Sequence, residues 1–316
     1  MSAPLELLVQ QARGDEPSAT RAAARLMSAL ENQPQRLPEF LRAVGREARQ
    51  PRLILGITGA PGSGKSTLTD AIISQYRRRD RALRIGVIAV DPSSPFSGGA
   101  VLGDRVRMMK HATDPQVFVR SLASRGHLGG LALGVKGVLC VMGFIGVDVV
   151  IIETVGVGQS EVEVARVADE VLVVLAPGQG DSVQLLKAGL LEVGDFLIVN
   201  KADRTGADEL HAQVLSSLKL DGNVAKRQVA LVSATEQQGV PELIELVEKH
   251  AAEYSRQRAA RRAESFEDDI RAAILEAARA QLLNRLENDA EIRADLQRVF
   301  RGEVEAEIVV RALLET

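Results

Sequence analysis

Cysteine is almost missing from this 316-residue chain: Cys140 stands alone, so no intrachain disulfide can form, and a reducing cytoplasm is the expected setting. Its surroundings, "VLCVMGF", make it a small core residue rather than a reactive thiol. Histidine is nearly as sparse. His111, His127, His211 and His250 are scattered without metal-ligand spacing, and each is expected to be solvated or hydrogen-bonded. No run reaches the roughly 18 apolar residues of a membrane span, and "MSAPLELLVQQARGDEPS" lacks a basic segment followed by an apolar one. A net charge of −3 lacks the positive excess for binding nucleic acid or an anionic membrane through bulk electrostatics. Repeats and low-complexity tracts are missing too.

What is present falls into three zones, in a chain long enough to bury a substantial core. Residues 1–50 carry leucine and alanine at helical spacing, as in "LELLVQQA" and "ATRAAARLMSALE", and form an N-terminal helical extension. Residues 51–250 alternate helical stretches with unbroken apolar runs: "RLILGITG", "RIGVIAVD", "QVFVRSL", "DVVIIET", "EVLVVLA", "DFLIVNK" and "QVALVSA". Such runs are strands covered on both faces, which implies a three-layer α/β domain with a mostly parallel sheet and ligands at the strands' C-terminal ends. Residues 251–316 are helical and highly charged, either a solvated amphipathic appendage or a dimerisation arm whose leucine and isoleucine stripe needs a partner surface.

Inside "GITGAPGSGKST" lies Gly59-x-x-x-x-Gly64-Lys65-Ser66, a P-loop between an expected strand and an expected helix. Its glycines let the backbone curl so that N–H groups meet phosphate oxygens at a helix N-terminus, Lys65 reaches the terminal phosphates, and Ser66 offers a hydroxyl to magnesium. Further on, "IVNKAD" supplies Asn200-Lys201-x-Asp203. The Asp203 carboxylate can accept from both the ring N–H and the exocyclic amine of guanine. Adenine offers no such pair, so GTP is expected over ATP. Asn200 would brace the loop and Lys201 lay its stem over the base, while backbone N–H groups near Ser233 and Ala234 in "VSA" would meet the guanine oxygen.

Candidate magnesium-site acids lie between these motifs. Glu153 ends "DVVII", and magnesium keeps several waters, so the longer carboxylate can ligate directly or through water. Gly156 sits where a second switch would turn and offer its N–H to the γ-phosphate. Val157 occupies the place where Ras-like proteins carry the water-orienting glutamine, so slow intrinsic hydrolysis is expected, with Gln159 a speculative replacement. Asp91 and Asp104, at the two ends of the loop "VDPSSPFSGGAVLGDRVRM", are candidates for magnesium or the attacking water, although aspartate serves turns and helix caps equally well.

Together these residues resemble one family, the MeaB/ArgK-type GTPases, the group that includes the methylmalonic aciduria type A protein. The resemblance covers about residues 50–250 through "GAPGSGKST", "VDPSSPFSGGAVLGDRVRM", "GHLGG", "ETVGVGQSE", "NKAD" and "VSA". It implies a P-loop NTPase fold and a G-protein chaperone that gates adenosylcobalamin loading onto methylmalonyl-CoA mutase or a related acyl-CoA mutase and protects it. It also implies a homodimer with helical extensions. The phosphate loop then falls on Gly59, Ala60, Pro61, Gly62, Ser63, Gly64, Lys65, Ser66 and Thr67, and base contacts fall on Asn200, Lys201, Asp203, Ser233, Ala234 and Thr235. Magnesium falls near Ser66, Asp91, Asp104 and Glu153. Asp181 and Lys187 lie in the family's third switch, and Lys187 joins Lys65 and Asp91 as a catalytic candidate. Arg125 before "GHLGG", Leu185, Ala188 and the C-terminal composition depart from the family pattern and bear on the partner.

Two other readings follow from the same motifs. A nickel-delivery GTPase shares the glutamate-containing motif but would carry a histidine-rich tract or paired cysteines. An ArgK-like kinase or transport ATPase would prefer ATP, which Asp203 opposes.

Overall fold

The computed structural model describes residues 4–14, 16–91, 111, 113–123, 130–154, 164, 166–178, 194–220 and 227–314. Two compact units are present, Met1–Ser265 and Phe266–Thr316.

The first unit is built on a seven-stranded sheet: β1 Leu53–Gly59, β2 Ile85–Asp91, β3 Val117–Ala123, β4 Val149–Thr154, β5 Glu170–Leu175, β6 Phe196–Val199 and β7 Gln228–Leu231. They lie in the order β3-β2-β4-β1-β5-β6-β7, each paired parallel to its neighbours. All seven apolar runs are strands. β1, β4, β5 and β6 are buried along their whole length, which is why their sequences do not alternate. β7, at an edge, is partly exposed.

Among the described residues the helices of this unit are α1 Leu5–Gln11, α2 Pro17–Asn32, α3 Leu37–Val44, α4 Lys65–Arg79, α5 Gly130–Phe144, α6 Ala207–Leu220 and α7 Val240–Glu253, with the first part of α8 Ser255–Asn288. Strand residues face alternate sides. Leu55, Ile57, Ile151, Val174 and Ile198 pack with Leu68, Ile72 and Tyr76 of α4 and Leu243, Ile244 and Val247 of α7. On the opposite face Val173, Leu175, Leu197 and Val199 pack with Leu210, Val214 and Leu218 of α6. Each such buried side chain contributes about 1.5–3 kcal/mol relative to exposure, so the three layers hold without disulfides.

The N-terminal helices, expected as an extension over 1–50, belong to the same compact unit as the sheet. α2 runs so close to α5 that a Cβ on Gly137 would lie 2.8 Å from Leu30 Cβ. Arg120 of β3 reaches Ser28 Oγ at 3.0 Å and Glu31 Oε2 at 2.5 Å, and Phe40 meets Phe144 edge-on at 6.0 Å.

This unit runs to Ser265, and a buried ionic cluster at the N-terminal end of β5 joins the start of α8 to the sheet. Glu170 is fully buried, pairs with Arg258, and has oxygens 2.8 and 3.0 Å from His250 Nδ1. Its neighbour Asp169 pairs with Arg262 and accepts from Ile54 N–H at 2.7 Å. Two buried acids so placed require cations, and the first turns of α8 supply them.

The second unit comprises the rest of α8, α9 Ala290–Phe300 and α10 Ala306–Leu314. Asp289 caps α9 by accepting from the N–H groups of Glu291 and Ile292. Arg285 donates to the carbonyls of Ala312 and Leu313, at the negative end of α10. Ile274, Leu275, Leu283, Leu296, Phe300, Ile308 and Val310 are exposed. No helix among the described residues is long and apolar enough to cross a membrane.

Candidate functional site

β1 ends at Gly59 in the middle of the sheet and feeds α4 through a loop that only glycine can close at two points. Gly59 has φ +138°, and a Cβ there would lie 2.2 Å from Val174 O; Gly64 has φ +95°, and its Cβ would lie 2.4 Å from Asn200 Nδ2. Gly64 starts α4 without a side-chain cap, so first-turn N–H groups keep the donor capacity and positive potential that bind anions. Lys65 is buried, and its ammonium donates to Gly59 O at 2.8 Å and Ala60 O at 3.1 Å. Pro61, Gly62 and Thr67 are exposed and Ser63 is buried.

β4 lies between β1 and β2, with Glu153 opposite Ile57 and Ala89. This register carries the glutamate to the first turn of α4. There its buried carboxylate accepts from Ser66 Oγ at 2.5 Å and from Thr69 Oγ1 at 3.0 Å. Ser66 and Glu153, expected together from sequence, are together. Thr69 was not expected; its signal was its place one helical turn after Ser66, on the same face of α4.

The exit of β6 is tied to the loop. Asn200 is buried, donates from Nδ2 to Ser63 O at 3.0 Å, and accepts at Oδ1 from Ala234 N–H at 3.1 Å. It thus braces the P-loop against the exit of β7. Lys201 takes φ +60° and donates to Gly62 O at 2.6 Å, so its stem crosses from β6 to the loop. The exposed Asp203 accepts from Ser233 Oγ at 2.5 Å, and that hydrogen bond holds its carboxyl below its ordinary value. Thr235 Oγ1 is 3.2 Å from the same hydroxyl.

The Ser233 and Ala234 backbone N–H groups, in the segment expected to meet the guanine oxygen, donate within the protein to Gln238 O at 3.0 Å and Asn200 Oδ1 at 3.1 Å. The chain leaving β7 turns back in a Ser233–Gln238 bridge, and buried amides there need internal partners.

Asp91 closes β2 opposite Ala123, its backbone at the C-terminal edge of the sheet with the P-loop. Asp104, Gly156, Val157, Gln159, Asp181 and Lys187 lie outside the described residues, as do Arg125, Leu185 and Ala188. Cys140 is a partly buried free thiol whose pKa burial pushes up to about 11. His111 contacts Asp70 at 2.9 Å, and His250 belongs to the β5 cluster.

A family model described as methylmalonyl Co-A mutase-associated GTPase MeaB matches residues 23–291. A Pyrococcus abyssi protein named as a GTPase is 43% identical over 250 residues, 78% of this chain and 75% of its own length. The fused isobutyryl-CoA mutase of Cupriavidus metallidurans is 39% identical over 201 residues, 63% of this chain and 18% of that protein. The crystal structure of a LAO/AO transport system kinase matches with a TM-score of 0.65 at 27% identity, covering 100% of this chain and 98% of that one.

Proposed function

The chain belongs to the methylmalonyl-CoA mutase-associated GTPase family MeaB, and on that premise we propose that it binds and hydrolyses GTP to gate adenosylcobalamin loading onto an acyl-CoA mutase. The observation that carries the reading is the meeting of Ser66 and Glu153 beneath the loop that Asn200 and Lys201 brace. A hydroxyl and a carboxylate are hard oxygen donors, the set that suits Mg2+ with its remaining positions left to waters and phosphate oxygens. Ser66 and Glu153 would hold that ion, with Asp91 and Asp104 as further candidates; when bound it would offset charge on the β- and γ-phosphates.

The chain's own groups do the rest by positioning. The ammonium of Lys65 and the N–H groups at the start of α4 form a fixed positive surface for a triphosphate. Asp203, held as an ionised acceptor by Ser233, selects guanine. Asp91 is the candidate to orient the attacking water, and Gly156 and Lys187 would respond to the γ-phosphate and the partner. With Val157 in place of a water-orienting glutamine, turnover alone is slow and the partner stimulates it.

The partner proposal rests on the family's description and on a relative whose name is that of a fused mutase. We further propose that the exposed apolar residues of the second unit pair two copies of the chain, and that it works in the cytoplasm.

Calorimetric titration with GTP and ATP tests the core of this reading, alongside Asp203→Asn. GTP should bind tightly and ATP weakly, and the variant should lose about 3 kcal/mol, roughly a hundredfold, by giving up two charge-assisted hydrogen bonds. A preference for ATP would sink it. Capture from native extract on the chain loaded with a non-hydrolysable GTP analogue should recover a cobalamin-dependent mutase.

A further inference from the structure

Thr69 lies in the interior of α4, fully buried, with its hydroxyl on Glu153 Oε2 at 3.0 Å while Ser66 holds Oε1 at 2.5 Å. A threonine in a helix ordinarily turns its hydroxyl back to the carbonyl four residues earlier. At Thr69 it reaches instead across the boundary between helix and sheet. Glutamate has one more rotatable bond than aspartate, so a glutamate carboxylate loses more freedom when fixed at a cation site. Two hydroxyls from one helix, one on each oxygen, remove that freedom here.

The two hydroxyls are not equivalent. Ser66 directly follows the P-loop lysine, and its oxygen can give a lone pair to a cation while its proton stays on Glu153. Thr69 stands one turn deeper and reaches the site only through the carboxylate. We propose that Thr69 is a positioning residue: by fixing the plane of the Glu153 carboxylate it sets the Mg2+ affinity of the nucleotide site. The inference rests on the reading that Ser66 and Glu153 hold Mg2+.

The test uses the full chain and measures the Mg2+ concentration needed for half-maximal retention of a fluorescent GDP, together with the release rate in EDTA. Thr69→Val keeps the side-chain volume and removes the hydroxyl. It should raise the Mg2+ requirement about tenfold, the lower end of the effect of losing an outer-shell partner, and leave release in EDTA unchanged. Thr69→Ser should return the requirement to within about twofold of the wild type, since the same hydrogen bond is restored. In a Glu153→Gln background, Thr69→Val should add nothing further.

An unchanged Mg2+ requirement in Thr69→Val with a native melting transition overturns the proposal, as does an effect that persists in full beside Glu153→Gln. If Thr69→Val does not fold, Thr69→Ala reads the same quantity. A wild-type chain that holds GDP without regard to Mg2+ removes the magnesium reading and the inference together. Mg2+-dependent retention by the wild type with no effect at Thr69 removes the inference alone.

Discussion

The carboxylate of Glu153 lies 2.5 Å from the hydroxyl of Ser66, a residue 87 positions earlier in the chain. β4 delivers the acid and the first turn of α4 delivers the alcohol, so the pair depends on the parallel register between β4 and β1. Glu153→Gln preserves shape and hydrogen bonding, because an amide can accept from one hydroxyl and donate to the other. It removes the negative charge. The expected outcome is a melting temperature close to wild type and a Mg2+ requirement for nucleotide retention raised at least about tenfold, read by Mg2+ titration.

Asn200 ties together two segments far apart in sequence, the P-loop through Ser63 O and the β7 exit through Ala234 N–H. Asn200→Ala should therefore do more than remove a base contact. It leaves a buried carbonyl and a buried amide without their partner, at about 1–3 kcal/mol each. Both the midpoint of thermal unfolding and GTP affinity should fall. A variant that lost affinity at unchanged stability would show that the brace is not structural.

The sheet was legible because strands buried on both faces leave short, continuous apolar runs rich in β-branched residues, as in "DVVIIET" and "EVLVVLA". The P-loop and the NKxD motif were legible because backbone geometry and guanine chemistry demand particular residues at fixed spacing. Thr69 was not, because its role depends on which strand lies beside α4, and spacing within the helix says nothing of that. The hydrogen bonds of the Ser233 and Ala234 amides escaped for a similar reason: the first comes from the turn after β7, where Ser233 bridges to Gln238, and the second from Asn200 at the exit of β6. The ionic cluster at the start of α8 was not legible, because Arg258 and Arg262 read as ordinary charges of a solvated helix until their partners, the buried Glu170 and Asp169, are in place.

Ser233 also controls an ionisation. Its hydroxyl hydrogen bond is the largest cause of the lowered pKa of Asp203, whose ordinary value is 3.8. A depressed carboxyl pKa contributes stability that is fully present above the ordinary value and is lost as pH falls through the folded-state value. Ser233→Ala should move the Asp203 titration up toward 3.8, observable by carbon NMR of the carboxyl. The stability difference between wild type and variant should narrow in acid as Asp203 protonates. A titration unmoved by the substitution would assign the shift to another cause.

Arg262 donates to Asp169, which in turn accepts from the first strand's Ile54 N–H. Arg262→Met keeps much of the aliphatic volume and strands a buried carboxylate, which should cost about 3 kcal/mol in chemical denaturation. The cluster lies at the N-terminal end of β5, away from the P-loop at the C-terminal edge. GTP affinity of the folded variant should be unchanged, which separates anchoring of α8 from nucleotide chemistry.

The second unit leaves Leu275 70% and Phe300 93% exposed, together with Ile274, Leu283, Leu296, Ile308 and Val310. Scattered apolar residues on a surface need no explanation, but so many in a unit of 51 residues, with Ile292 and Val309 the buried aliphatics among its described residues, call for a covering surface. A second copy of the same unit offers one of matching chemistry. Leu275→Asp and Phe300→Asp alter exposed positions, so neither should unfold the chain, and together they should shift sedimentation from dimer to monomer at micromolar concentration. GTP binding should persist, because the nucleotide residues belong to the first unit. A wild-type chain that sediments as a monomer, or a variant that stays dimeric, would move the interface elsewhere or abolish it.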